Sequence, residues 1–110
     1  MNLKARVAAA ATTNATLVKG APGRLKSINV ANGAIAAKFL KLYDLAVAPT
    51  VGTSVPVATF LIPTLGRCDL NFGAGLLFTV GIAYAITGAI ADSDTTAVAA
   101  NDVHGVIGYQ

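Results

Sequence analysis

The chain has 110 residues, of which 55% are apolar and 12% charged, with a net charge of +3 and one cysteine. That length builds one core, and the charged fraction is about half the usual one, so the chain must either enter a membrane or cover extra apolar surface against copies of itself or another protein. A single cysteine excludes an intrachain disulfide and a cysteine-rich metal site, and the absence of a dense Lys/Arg cluster interleaved with aromatics argues against nucleic acid as a partner.

Residues 1–15 are basic and alanine-rich, with Lys4 and Arg6 ahead of Ala8 to Ala11. The apolar run is too short and too alanine-rich for an export signal. It reads as an N-terminal arm or edge strand, and Lys4 and Arg6 are expected to contact a neighbouring subunit. Gly20-Ala21-Pro22-Gly23 is a turn, since proline fixes its own φ and glycine permits positive φ. Leu25, Ile28 and Val30 then mark a strand whose spacing shifts from odd to even, which predicts a bulge. Asn32-Gly33 predicts a hairpin. The strand expected from Ala36 to Tyr43 puts Leu40 and Leu42 on one face and Phe39, Lys41 and Tyr43 on the other.

Asp44 to Ser54 is a loop, and Val55 to Ile62 a strand with Pro56 near its start, where a missing amide hydrogen is tolerated. After a turn at Pro63 to Gly66, Arg67 to Phe72 forms a short strand with Cys68 on its inner side, and Gly73-Ala74-Gly75 leads on. From Leu76 to Thr87 the chain alternates: Leu76, Phe78, Val80, Ile82, Tyr84 and Ile86 are large, and the residues between them mostly small. Period two predicts one long strand with its large side in a core. Its small side, with Gly81, Ala83 and Ala85, is expected to be covered by a sheet or a neighbouring subunit. Residues 88–102 form a loop in which Asp94 could cap a helical turn through Ala100. Val103, Gly105, Ile107 and Tyr109 define a closing strand.

Seven to eight short strands divided by turns read as an all-β sandwich, jelly-roll or Ig-like, over residues 16–110. The charge-free stretches Leu45–Gly66 and Leu70–Ala91 are long enough to span a bilayer and keep a small holin-like membrane protein as an alternative. Pro49, Pro56, Pro63 and the period-two pattern oppose helices there. No constellation for catalysis, a cofactor or a metal stands out. His104 is the lone histidine and has no G-x-S-x-G element to serve. Asp92, Asp94 and Asp102 are sparse for a Ca²⁺ loop, and Gly20 to Gly23 lacks the G-K-[ST] of a phosphate loop. Charge is unevenly spread along the chain, with seven Lys and Arg residues from Lys4 to Lys41 preceding the first acid, Asp44.

The segments Lys41-Leu42-Tyr43-Asp44, Ala48-Pro49-Thr50-Val51-Gly52-Thr53-Ser54-Val55-Pro56-Val57 and Ile86-Thr87-Gly88-Ala89-Ile90-Ala91-Asp92-Ser93-Asp94-Thr95-Thr96 resemble small virion proteins of tailed bacteriophages. The resemblance covers roughly residues 20–110. It implies a β-sandwich that acts by binding and not by catalysis, with the major capsid protein or other virion proteins as partners. A capsid decoration or cement protein, made in the host cytoplasm and assembled as a dimer or trimer, is the reading it favours. A tail or baseplate component is the alternative.

Overall fold

The computed structural model describes residues 2–110. These residues form eight strands: β1 (Leu3–Ala8), β2 (Thr16–Lys19), β3 (Gly23–Asn32), β4 (Lys38–Tyr43), β5 (Ala58–Ile62), β6 (Arg67–Phe78), β7 (Ile82–Thr87) and β8 (Val103–Tyr109). They lie in two antiparallel four-stranded sheets. The first has the order β1-β8-β3-β6 and the second β2-β7-β4-β5.

These orders share one rule. β1 pairs with β8, β2 with β7, β3 with β6 and β4 with β5, so the chain is one long hairpin with its apex in the loop between β4 and β5. Rolled up so that β8 also meets β3 and β7 also meets β4, it becomes an eight-stranded jelly roll. Apart from β4 to β5, every connection crosses from one sheet to the other.

Alternation along each strand explains the core. Leu25, Ile28, Val30, Leu40, Leu42, Ile62, Ile82, Ile86 and Ile107 are fully buried between the sheets, each contributing about 1.5–3 kcal/mol of apolar burial. Phe60 and Phe72 close the β5/β6 side with ring centroids 6.0 Å apart. Cys68 is buried on the inner side of β6 as its spacing predicts. Burial pushes its thiol up, and the charge of Asp69 adds to this.

Several local expectations need correction. The Leu76–Thr87 segment is two strands: β6 ends at Phe78 and β7 begins at Ile82 in the other sheet. Asp44 makes the break, its carboxylate accepting from the amides of Thr79, Val80 and Gly81 and from the Thr79 hydroxyl. Val80 is consequently exposed and not in the core. Asn32-Gly33 forms no hairpin, because β3 and β4 belong to different sheets. Asn32 is instead buried at the corner, where its amide group donates to the carbonyls of Ala36, Ile62 and Pro63 and its Oδ1 accepts from Ala34 N.

The bulge expected after Leu25 is present and large. The register passes from Leu25↔Leu76 to Ser27↔Asn71, so Phe72 to Gly75 oppose Lys26 alone. Gly73 and Gly75 take positive φ there, inside β6 and not before it. Asp94 caps no helix; no helix occurs among the described residues.

Candidate interaction surfaces

The small side of β7 is covered by the chain itself. Ala83 and Ala85 are fully buried beneath Leu45 and Val51 of the β4–β5 loop, together with Tyr43. A Cβ at Gly81 would run into the carbonyl oxygens of Leu45 and Lys19, so no side chain fits there. Gly81, Ala83 and Ala85, expected at a subunit contact, therefore present no surface to a neighbour. β7 is buried on both faces, large residues towards the sandwich core and small ones beneath the loop.

A second segment completes this cover. Lys41, on the same outer side of β4, is fully buried and its ammonium donates to the carbonyl of Ala91. The β4–β5 loop and residues 88–102 touch where Gly52 lies against Thr95 and Ser93, with a built Cβ only 2.6 Å from Thr95 Cγ2. The two loops thus form a roof over the second sheet. Asp94 organises it, accepting from the amides of Ala89 and Thr96 and from the Thr96 hydroxyl. Burial pushes the Asp94 carboxyl up, but these hydrogen bonds and the Lys41 charge outweigh it and hold the group below its ordinary range. The Tyr43 hydroxyl, under the same roof, has no hydrogen-bond partner among the described residues. Burial pushes its pKa up, and the nearby charge of Asp92 pushes the same way.

The N-terminal segment lies along its own domain. β1 pairs with β8 over six residues from Leu3↔Tyr109 to Ala8↔His104, and Val7 and Ala9 enter the core. Residues 9–15 then strap the two sheets together: Ala9 N donates to Val103 O and Ile86 N to Thr13 O. Leu3 to Ala8 thus form an edge strand of the first sheet. Lys4 and Arg6 stand exposed on its outer face.

The acids are not gathered. Asp102 pairs with Lys38 at 3.5 Å and accepts from Ala99 N, and no cluster of three or more His, Cys, Asp or Glu side chains occurs among the described residues. His104 lies 3.2 Å from Asn101 Oδ1. Neither long charge-free stretch is helical, and among the described residues no helix is long and apolar enough to cross a membrane.

Sequence reasoning missed one surface. Ile35 and Leu65 are largely exposed where residues 33–37 meet the β5–β6 turn, Leu65 N donating to Ala34 O, and Leu61 is exposed opposite Phe39 on the edge strand β5. Val55 and Val57 extend the apolar character along the approach to β5. The signal was present in the composition, but only the pairing shows which apolar residues are left outside. No protein-family model, curated protein or solved structure matches the chain.

Proposed function

We propose that this chain is a non-enzymatic structural protein of a tailed-phage virion, a decoration or cement protein that stabilises the head by binding the capsid surface. The observation that carries the reading is the jelly-roll strand order, an architecture that recurs in viral capsid domains. Because lectins and cupins share it, the fold alone is an analogy; the loop segments around Lys41–Val57 and Ile86–Thr96 that resemble phage virion proteins add to it. Both segments build the roof, whose interlocked loops suit a rigid binding unit present in many copies. The exposed apolar residues Ile35, Leu61, Leu65, Val55 and Val57 supply surface for a partner.

Counting copies of the chain per purified particle by quantitative mass spectrometry tests the reading. Hundreds of copies, released without loss of the tail, are expected. A handful per particle would move the protein to a tail tip or baseplate, and its absence from particles would end the virion reading.

A further inference from the structure

The outer faces of the two sheets carry opposite charge. On the first sheet the register lines up Arg6, Val106, Asn29 and Asp69 in one row and Lys4, Gly108, Ser27 and Asn71 in the next. Arg24 and Lys26 flank the inward Leu25 and so face outward too, lying against Gly75 of β6. Arg67, opposite Ala31 towards the other end of the same face, adds a further cation. Among the described residues, the one acidic side chain on this face is that of Asp69, already engaged by Arg67 at 3.0 Å and by Asn29. Lys4, Arg6, Arg24 and Lys26 take part in no salt bridge among the described residues.

Over the second sheet the balance reverses. Asp92 and Asp94 sit on the roof, Asp92 near enough to Tyr43 and Asp94 near enough to Lys41 for charge to act between them, and Asp44 holds its end. Lys41 is the cation beneath them and is fully buried. Asp92 is exposed and accepts no hydrogen bond among the described residues. The basic face bears short residues between its charges, among them Ala8, Ala31, Ser27 and Gly108, so a protruding loop can approach it.

We propose that the basic outer face of the first sheet binds the acidic roof of a second copy of this chain, head to tail. Two copies meeting basic face to basic face across a two-fold axis would set like charges against each other, which costs rather than contributes. A heterologous contact uses both complementary faces of one molecule, and it continues until a ring closes. The inference does not depend on the virion reading, because self-association can be measured on the purified chain.

Sedimentation velocity on the full chain tests it. Association is expected at about 20 mM salt and is expected to weaken at least roughly tenfold by about 300 mM, where exposed charges are screened. Arg6→Glu on the basic face and Asp92→Lys on the roof should each weaken association by about tenfold. Mixed in equal amounts, the two variants should recover it as a 1:1 complex, the intact basic face of Asp92→Lys binding the intact roof of Arg6→Glu. A parent chain that stays monomeric at low salt overturns the proposal. So does association that neither variant changes, or a mixture that shows no recovery. If Arg6→Glu alone matters and the basic face instead captures an acidic polymer such as heparin, the partner is not a second copy. Should either reversal fail to fold by circular dichroism, Lys4→Gln and Asp92→Asn with the salt titration decide: salt-independent association would then rule the contact out.

Discussion

The two sheets share a core but not an exterior. The first sheet's outer face meets solvent directly, with Arg6, Asn29 and Asp69 exposed or half-buried in one row. The second lies under a roof of two loops, so that Ala83, Ala85, Lys41 and Thr87 have no exposed surface at all. The first sheet is thus buried on one side, and the central strands β7 and β4 of the second on two, while Leu17 and Leu61 on its edge strands stay exposed. Tyr43, Ala83 and Ala85, with Leu45 and Val51 packed on them, form this second and smaller buried layer, made by folding loops back over a sheet.

The largest test of this contrast is one substitution placed on each exterior. Ala83→Glu, under the roof, should cost about 3–5 kcal/mol or prevent folding, because a carboxylate would be buried against Tyr43 and Leu45 without a partner. Val106→Glu, on the open sheet between Arg6 and Asn29, should stay within about 0.5 kcal/mol. Urea unfolding of both measures the difference, and equal losses would mean that the roof does not seal.

Lys41→Met keeps the stem and removes the ammonium from Ala91 O and Asp94. A loss of about 1–3 kcal/mol is expected, with faster proteolysis within 88–102 as the local readout.

Asp44→Asn should cost about 1–2 kcal/mol at neutral pH, since charge-assisted bonds to the 79–81 amides are weakened. Burial pushes the Asp44 carboxyl up, but those amides and the Thr79 hydroxyl hold it below its ordinary range overall. A depressed folded-state pKa means that this stabilisation is fully present above the unfolded carboxylate value near 4 and is lost as pH falls through the lower folded value. Stability curves of parent and variant should therefore converge as the pH falls through that lowered folded value. The smallest effect belongs to Tyr43→Phe, which removes the unpartnered buried hydroxyl and should be neutral or stabilising by up to about 1 kcal/mol in thermal melts.

Strand positions were legible where alternation was strict, as from Val103 to Tyr109, and the bulge after Leu25 could be read from a shift of parity alone. The pattern from Leu76 to Thr87 misled because a turn of three residues preserves period-two parity closely enough to hide a change of sheet. The Asp44 carboxylate that forces that turn lies 35 residues from Thr79. The same distance problem hid the roof. Nothing local distinguishes a lysine under a loop from one in water, so the sequence placed Phe39, Lys41 and Tyr43 on one face without showing what covers Lys41 and Tyr43. Gly81, Ala83 and Ala85 were recognisable as a side that something must cover, but what covers them is set by loop packing. Lys4 and Arg6 were legible as charges, and their place on an edge strand depended on β8, at the other end of the chain.

That nested pairing also sets the order in which the molecule can form. β4 and β5 are separated only by their loop and can meet early, whereas Leu3 waits for Tyr109 and Thr16 for Tyr84. Pairings so distant in sequence are slow, because loop closure must precede any gain from contact. On a ribosome, β1 emerges first and finds its partner last. For most of synthesis Val7 and the unpaired edge of β1 remain open to other nascent chains, an edge on which Lys4 and Arg6 set two exposed like charges.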